Sequence, residues 1–304
     1  MNVLVVGGTG FIGEKLCREL SDRGHAVTAL SRSPDEADLP EDVRRETGDV
    51  TAYDSVESAF ESQDAVVNLV ALSPLFRPDG GDRKHFEIHL QGTENVVEAA
   101  KEHGVPRVIQ MSALGADPDG PTAYIQAKGQ AETVVEQSGL DYVIFRPSVV
   151  FGDGGEFVPF TKKLAPRPAA PLPGGGDTRF QPIWVGDLVP VLADAVEGDD
   201  HDGEVSEIGG PEVLTLEEVA ETAHAADGHS FTAIPIPMAL ADVGLSVLGS
   251  LGGPMGRDQA RSLRMDNTTD NNDIGAFGYS EADLTTLGEY LGLEEREGET
   301  LPAG

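Results

Sequence analysis

Tyr124 and Lys128 are the two side chains whose types and spacing best suit proton transfer. They stand four residues apart on a predicted helix covering residues 123–137, so both side chains project from the same face. A tyrosine with an ordinary pKa of about 10 is a poor base at neutral pH, but a neighbouring ammonium group favours the phenolate and lowers that pKa. Ser112 ends the predicted strand 108–111 and completes a candidate catalytic group. The alternative is a chance pattern, with a solvated lysine and a serine that only ends its strand.

The glycine-rich stretch GGTGFIG, residues 7–13, indicates a dinucleotide site. It satisfies G-x-G-x-x-G from Gly8 and also the variant spacing that starts at Gly7. It follows a predicted strand, 2–6, and opens a predicted helix, 11–21, which is the context that the motif requires. Glycines permit a tight turn and a close approach to a pyrophosphate, and the helix N-terminus offers free N–H groups. We therefore prefer dinucleotide binding to a ligand-free turn.

The end of the second predicted strand, 26–30, suggests which dinucleotide is bound. Proteins that select NAD place an acidic residue there to bind the ribose hydroxyls, whereas this chain has Ser31-Arg32-Ser33. An arginine in that place can accept a 2′-phosphate, so the sequence favours NADP and leaves NAD open. The alternative is that Arg32 is an ordinary surface charge.

Strands and helices alternate along the first half of the chain, which predicts an α/β fold with a doubly wound, parallel sheet of the Rossmann type. After Pro147 the rhythm changes, and the Pro- and Gly-rich stretch 165–177 predicts a loop. We expect a nucleotide-binding Rossmann domain over residues 1–150 plus about 181–210. A smaller, mostly C-terminal substrate lobe is expected over about 151–180 and 211–304. The predicted elements are strands 2–6, 26–30, 43–47, 65–70, 108–111, 142–145, 183–185 and 204–208, and helices 11–21, 54–60, 86–103, 123–137 and 187–197.

The composition limits the partners. The 304 residues include 53 acidic and 21 basic ones, giving a net charge of −32, and only six of the basic residues are lysine. We interpret the excess as a solvated acidic surface suited to the cytoplasm of a high-salt-adapted organism rather than as a cation-binding surface. Nucleic acid is excluded as a partner because phosphate contacts need a basic face. With one cysteine, Cys17, and scattered histidines, no metal site is predicted.

The most apolar segment, residues 234–253, is interrupted by prolines and by Asp242, so we expect no membrane span. Burial in the core is favoured there, and peripheral contact with a membrane or a quinone stays open. The N-terminus has no basic segment ahead of its first strand, so no signal peptide is predicted.

Taken together, these pieces resemble the extended and atypical short-chain dehydrogenase/reductases, which are NAD-dependent epimerase/dehydratase-like proteins. Within them, the chain is most similar to the branch related to the 39-kDa accessory subunit of respiratory complex I (NADH dehydrogenase). The matching stretches span roughly residues 2–210, in family order: GGTGFIG, GDVTAYDSVESAF, AVVNLVA, GTENVVEAAKEHGVPRVIQMSALGA, YIQAK, FRPSVVFG and QPIWVGDLV.

The resemblance implies roles for individual residues. Tyr124 would transfer a proton to or from a substrate oxygen that Ser112 holds, while Lys128 would also bind the nicotinamide ribose. Where many relatives have an asparagine, this chain has His89, which either substitutes for it or is an ordinary helix residue. For Arg146, a structural role is as well supported as one at the site. The cofactor-binding residues implied by the glycine motif and the resemblance are Gly7, Thr9, Gly10, Phe11, Ile12, Gly13, Ser31, Arg32, Asp49, Val50, Leu69, Val70, Ala71, Lys128, Pro147 and Val150.

The implied function is that of an NADP-dependent oxidoreductase, or an epimerase using the same hydride chemistry, on a small carbonyl, hydroxyl or quinone-related substrate. The alternative is a non-catalytic nucleotide-binding accessory or sensor protein. Asp49, too, has an alternative role, as a turn acid. A monomer and a homodimer are both compatible with the sequence.

Overall fold

A computed structural model describes residues 1–236, 257–262 and 264–293. Most of the apolar segment 234–253, including the stretch considered for peripheral membrane contact, lies outside the described residues. No helix among the described residues is long and apolar enough to cross a membrane. Within the same part of the chain, no His, Cys, Asp and Glu side chains group as a metal ion would require.

The central feature is a parallel sheet of seven strands in the order β11-β6-β5-β4-β1-β2-β3. This arrangement confirms the predicted Rossmann-type fold. From β1 the chain adds β2 and β3 on one side and then β4, β5 and β6 on the other, so the strand order reverses between β1 and β4. Ligands of such sheets bind in the crevice at that point, outside the carboxyl ends of the strands. The strands are β1 (Asn2–Val6), β2 (Ala26–Ser31), β3 (Arg44–Thr47), β4 (Ala65–Asn68), β5 (Arg107–Met111), β6 (Asp141–Pro147), β7 (Val150–Phe151), β8 (Ala169–Pro173), β9 (Arg179–Phe180), β10 (Ile183–Trp184), β11 (Glu204–Ile208), β12 (Leu214–Thr215) and β13 (Thr232–Ile236).

Helices cover both faces of the sheet, and each face has its own apolar core. The first core joins α1 and α6 to one face, and the second joins α3 and the Val135 side of α4 to the other. The central strands are buried on both faces, which explains their nearly continuous apolar sequences. The helices are α1 (Phe11–Asp22), α2 (Arg83–His85), α3 (Gly92–Glu102), α4 (Ala123–Glu136), α5 (Phe157–Leu164), α6 (Val185–Glu197), α7 (Leu216–Ala225), α8 (Arg257–Ser262) and α9 (Leu287–Tyr290).

A third apolar cluster lies beyond the sheet and is formed by α5, α7 and short strands. It includes Phe157, Leu172 and Phe180. Three two-stranded pairings, β7 with β10, β9 with β12 and β8 with β13, surround it. A bridge between Phe180 and Asn267 ties the segment after α8 to this region. The cluster therefore packs above the carboxyl ends of the central strands.

Two predicted elements were wrong, one for a local reason and one because of a distant pairing. The predicted helix 54–60 is a pair of 3-10 turns, Tyr53–Ser55 and Glu57–Phe60. The Ser55 hydroxyl donates to the carbonyl oxygens of Asp49 and Ala52, which competes with regular helix bonding. The predicted loop 165–177 contains β8, which pairs with β13. A two-stranded pairing tolerates prolines because each strand has a free edge.

Two further elements have the right type but different limits. Strand β4 ends at Asn68 rather than at residue 70, because the Asn68 side chain accepts from the Val70 N–H and turns the chain. The predicted helix 86–103 begins earlier, with α2, and includes a π-helical segment, Phe86–Gln91, ahead of α3. Such π segments occur frequently at functional sites.

Candidate active site and cofactor groove

The glycine loop is a tight turn that only glycines can form. Gly7 has a φ of +85°, and its N–H donates to Leu30 O at 2.8 Å. A Cβ on Gly13 would lie 2.2 Å from Gly7 O, and one on Gly8 would lie 2.8 Å from the Ala29 Cβ. At Gly10 the nearest atom would be 3.3 Å away. Gly7, Gly8 and Gly13 therefore shape the loop, whereas Gly10 leaves room beside it.

Helix α1 starts at this loop without a side-chain cap. Gly10 is its N-cap residue, and the first bond inside the helix joins the Glu14 N–H to Gly10 O at 3.0 Å. The N–H groups of Phe11, Ile12 and Gly13 consequently have no acceptor within the helix. Together with the helix dipole, these groups form a site that suits a pyrophosphate. Thr9, half-buried in the loop, lies just ahead of them.

A cavity of about 580 Å³ opens beside the loop, at the carboxyl ends of β1, β4, β5 and β6. It contains all three candidate catalytic residues and most of the predicted cofactor residues. Thr9, Ser31, Arg32, Asp49, Val50 and Val70 lie outside its lining. The predicted residues that line it are Gly7, Gly10, Phe11, Ile12, Gly13, Leu69, Ala71, Ser112, Tyr124, Lys128, Pro147 and Val150.

Tyr124 lies in the first turn of α4, which begins at the Thr122 cap. The side chain is half-buried, and burial raises the pKa of its phenol above the ordinary value. This direction is opposite to the one that the sequence argument expects from a nearby ammonium. The phenol therefore keeps its proton at neutral pH and is suited to donate that proton.

Lys128 is almost completely buried, with 1% of its surface exposed. Its Nζ donates to Met111 O at 2.8 Å, and burial lowers its pKa to about 8. Glu132, one turn further along α4, partly opposes this shift. Arg146 binds Glu132 through two hydrogen bonds of 2.9 and 2.5 Å and so ties β6 to α4. That contact is structural and accounts for the position of Arg146.

Ser112 follows β5 directly and has 4% of its surface exposed. Its N–H donates to Phe145 O at 2.7 Å, which fixes the backbone beside the cavity. Its hydroxyl has no hydrogen-bond partner among the described residues. A buried hydroxyl costs free energy unless it is satisfied, so this group is available to an oxygen of a bound ligand.

Two buried histidines pack against the ring of Tyr124. The centroids of His89 and His85 lie 5.3 and 5.6 Å from the tyrosine centroid, both edge to face, and the two imidazoles stack on each other at 5.7 Å. The Leu72 N–H donates to His89 Nε2 at 3.4 Å, so that nitrogen carries no proton. Burial, assisted by the charge of Lys128, lowers the pKa of His89 well below its ordinary value. Both imidazoles are therefore neutral, since burial also lowers the pKa of His85.

His85 was missing from the sequence prediction. Its spacing of four residues from His89 is the one signal that could have found it. The sequence analysis named His89 alone, as a substitute for an asparagine of the relatives or as an ordinary helix residue, whereas the structure places both histidines against Tyr124.

Arg32 and Asp49 lie outside the cavity lining, near each other after the carboxyl ends of β2 and β3. Arg32 directly follows β2 and is exposed, and the hydroxyl of Ser31 before it is buried without a hydrogen-bond partner among the described residues. Asp49 Oδ1 accepts from the N–H and the hydroxyl of Thr51 at 2.9 and 2.8 Å. These bonds, with a smaller effect of Arg32, lower the pKa of Asp49. Asp49 therefore stabilises a turn through Oδ1, and its Oδ2 takes no part in these two bonds.

Two predicted cofactor residues outside the cavity lining, Val50 and Val70, have packing roles. Val50 is buried, and its carbonyl oxygen accepts from Asn95 Nδ2 at 2.6 Å. Val70 packs against Gly7, since a Cβ on that glycine would lie 3.3 Å from the valine.

The sequence analysis expected a C-terminal substrate lobe but named none of the residues by which the C-terminal half lines the cavity. Asn267 lines it, and its Oδ1 accepts from the Ser148 hydroxyl and from the Val149 N–H, both at 2.8 Å. The loop after β4 contributes Ser73, Pro74 and Leu75. No motif marks either segment, so only the folded arrangement reveals them.

Comparison with known proteins identifies the family of this chain. Residues 7–164 match the model of a protein family described as NAD(P)H-binding. The chain belongs to this family. A curated relative, NADH dehydrogenase (ubiquinone) 1 alpha subcomplex subunit 9, mitochondrial, of Arabidopsis thaliana, is 28% identical over 249 residues, covering 78% of this chain and 61% of the relative. This match confirms the predicted kinship of the NAD(P)H-binding protein with the complex I accessory subunit.

Other relatives and structures extend the comparison. Divinyl chlorophyllide a 8-vinyl-reductase, chloroplastic, of Arabidopsis thaliana is 28% identical over 267 residues, covering 83% of this chain and 63% of the relative. The chain thus spans about three-fifths of the length of these curated relatives. The structure of UDP-glucose 4-epimerase from Thermotoga maritima with UDP-glucose has a TM-score of 0.73 at 20% identity, over 96% of this chain and 97% of that chain. At that identity, the structural likeness establishes the fold alone.

Proposed function

We propose that this NAD(P)H-binding protein is an NADP-dependent oxidoreductase, or an epimerase with the same hydride chemistry, for a small carbonyl, hydroxyl or quinone-related substrate. One observation carries the proposal. Ser112, Tyr124 and Lys128 line the same cavity as the glycine loop. A dinucleotide on that loop would therefore meet a proton donor and a hydrogen-bonding hydroxyl within one cavity.

The loop residues fit the cofactor. The free N–H groups at the start of α1 would hold its pyrophosphate, and Arg32 would face a 2′-phosphate on its ribose. When bound, the dinucleotide supplies or accepts a hydride at a substrate carbon. We assign the substrate side of the cleft to a smaller lobe of about residues 151–180 and 211–304.

The side chains of this chain would control the accompanying proton. In the direction of reduction, the Ser112 hydroxyl donates a hydrogen bond to the substrate oxygen, and Tyr124 transfers its phenolic proton to that oxygen. The raised pKa of Tyr124 keeps this proton in place beforehand. Lys128, charged below a pKa of about 8, stabilises the phenolate left behind. The neutral His85 and His89 add no competing charge.

A comparison of Tyr124→Phe with wild type tests the proposal. We expect NADPH to bind more tightly than NADH to the purified protein. With a substrate found by monitoring NADPH consumption, Tyr124→Phe should lower turnover by about a hundred-fold to ten-thousand-fold. Binding of NADPH, measured by fluorescence titration, should stay nearly unchanged. Tyr142→Phe is the control, because Tyr142 lies on β6 outside the cavity lining.

A non-catalytic accessory or sensor role is the second candidate, favoured by the relative named as a subunit of NADH dehydrogenase. It predicts NADPH binding without turnover. Equal turnover in wild type and Tyr124→Phe would contradict catalysis by Tyr124, and equal affinities for NADPH and NADH would contradict the choice of cofactor.

A further inference from the structure

The walls of the cavity beyond the glycine loop are apolar. Side chains from the loop after β4, from β5, from α4 and from the segment after α8 meet there. Half of the ten residues given below are buried, including Met111, Leu114 and Phe180 at 5%, 6% and 5% exposure, and the other half are partly buried. The apolar lining residues are Leu69, Pro74, Leu75, Met111, Leu114, Ile125, Val149, Phe157, Phe180 and Met265.

Charge is scarce in this lining, and most of it is negative. Among the described lining residues, Lys128 is the only cation, and Glu156 and Asp266 are the two acids. Lys128 is buried and engaged with Met111 O. Asp266 binds Arg179 through contacts of 2.9 and 2.6 Å, which engages that arginine as well. Residues 237–256, outside the described part of the chain, contain Asp242 and no Lys, Arg or His in their sequence.

This distribution excludes a second diphosphate. Placing two phosphate charges against apolar walls without cations costs more free energy than the surrounding contacts return. Among the residues that the structure describes, the phosphate-binding feature at the cavity is the start of α1, which the dinucleotide itself would occupy. The epimerase from Thermotoga maritima shares the fold and was solved with UDP-glucose. The lining described here does not suit a ligand of that kind.

The uncharged polar side chains of the lining differ in how far they are engaged. Asn267 Oδ1 already accepts two hydrogen bonds, one of them from the Ser148 hydroxyl, and the Ser73 hydroxyl accepts from the Leu75 N–H. Ser262 also lines the cavity. The Ser112 hydroxyl is buried without a partner in the described part of the chain, and the Tyr124 phenol lines the same cavity. These two groups offer a position for a ligand oxygen within a mostly apolar lining, which is typical of a site that orients an apolar ligand.

We infer that the substrate is an uncharged, apolar carbonyl compound, such as an alkyl or aryl ketone, rather than a nucleoside-diphosphate sugar. The inference rests on the proposed function for the hydride step, while the ligand class follows from the lining. In that step the hydride forms a C–H bond at the carbonyl carbon, the C=O π pair moves to oxygen, and Tyr124 supplies the proton to it. NADPH is oxidised and the ketone is reduced to an alcohol.

A pair of matched ligands tests the charge rule. The full-length protein, saturated with NADPH, is titrated by calorimetry with a medium-chain methyl ketone, with the oxo-carboxylate of the same length, and with UDP-glucose. We expect the ketone to bind at least about tenfold more tightly than the oxo-carboxylate, and UDP-glucose not to bind. Leu75→Lys, which adds a cation to the lining, should narrow the gap between ketone and oxo-carboxylate. Val213→Lys, at a residue 49% exposed and outside the lining, should leave that gap unchanged.

The outcomes separate this inference from the proposed function. Tighter binding of the oxo-carboxylate, binding of UDP-glucose, or failure of the ketone to bind would each overturn the ligand class. NADPH oxidation with a UDP-sugar would overturn it as well, while preserving the hydride chemistry. Ketone binding without NADPH oxidation would support the ligand class and contradict the oxidoreductase.

Discussion

The predicted dinucleotide site has two unlike ends. At the cavity end, defined by Ser112, Tyr124 and Lys128, every side chain is buried or lines the cavity. At the open end, defined by Arg32 and Asp49, the arginine is exposed and the carboxylate belongs to a surface turn. Both ends contain shifted pKa values, but the causes differ. Burial dominates at Tyr124 and Lys128, whereas hydrogen bonds from Thr51 dominate at Asp49.

This difference separates two kinds of selection. Burial at the cavity end shifts pKa values and disfavours charge, so under the proposed function that end selects the substrate and controls the proton. Solvent and salt reach the open end, where charge can select a cofactor only by a modest margin. Changes at the cavity end should therefore have large effects with a strong pH dependence. Those at the open end should be smaller and should depend on salt.

The largest effect is expected from Lys128→Met, which removes the buried charge. The wild-type pKa is lowered from 10.5 to about 8, so between those values the unfolded chain keeps a proton that the folded chain releases. The unfolded state then binds more protons, and the free energy of unfolding rises with pH across this window by up to roughly 3 kcal/mol. Lys128→Met lacks this rise. Its advantage in stability over wild type should be greatest below pH 8 and should shrink towards pH 10.5.

Urea unfolding of both proteins between pH 7 and 10.5 measures this effect. Met111 O keeps a second donor, Gln110 Nε2 at 3.2 Å, so the substitution leaves no unpaired carbonyl. Lys101→Met, at an exposed position on α3, is the control and should differ from wild type by a constant amount. A constant difference for Lys128→Met as well would contradict burial as the cause of the lowered pKa.

A smaller effect is expected at the loop that joins the two ends. Gly13→Ala places a Cβ 2.2 Å from Gly7 O and should lower the free energy of unfolding by about 1–3 kcal/mol, although alanine favours a helix. Gly10→Ala meets its nearest atom at 3.3 Å, so the fold should be nearly as stable. Its methyl group should instead weaken NADPH binding. Thermal unfolding and NADPH titration of both variants check this, and a Gly13→Ala protein as stable as wild type would show that the close packing is not required.

The sequence could predict features with local causes better than features with distant ones. The glycine loop and the parallel strands depend on patterns within a few residues, so they were predictable. The position of Arg32 came from counting along the chain to the end of β2. In contrast, β8 forms only through its pairing with β13, far along the chain. No local pattern carries that information, so the stretch was predicted as a loop.

The same limit applies to the site. The Tyr124 and Lys128 spacing was evident, but the direction of the tyrosine pKa was not, because burial depends on all surrounding elements. Asn267 reaches the cavity from a segment without a motif, held by bonds to Ser148 and Val149. His85 contacts Tyr124 from the end of α2, directly ahead of the π-helical segment, which the sequence did not predict. The sequence thus predicted which side chains could do chemistry, but not the burial and the neighbours that set their pKa values.

The smallest effect is expected at the open end, from Arg32→Ala. Removal of this exposed guanidinium should reduce the preference for NADPH over NADH by about tenfold, which corresponds to about 1.4 kcal/mol. Salt should shrink this difference between wild type and variant, because exposed charges are screened over about 10 Å at 0.1 M. The net charge of −32 repels both dinucleotides, and NADPH more strongly, so the preference of either protein alone mixes two opposed effects. Dividing the wild-type preference by the variant preference at each salt concentration removes the common repulsion.

Arg44→Ala is the control. It makes the same change in net charge at the opposite end of the neighbouring strand β3, where Arg44 pairs with Thr28 rather than with Ser31. The preference of Arg44→Ala for NADPH over NADH should match that of wild type. If the wild-type preference divided by the Arg32→Ala preference stays near one at low salt, Arg32 does not select the cofactor.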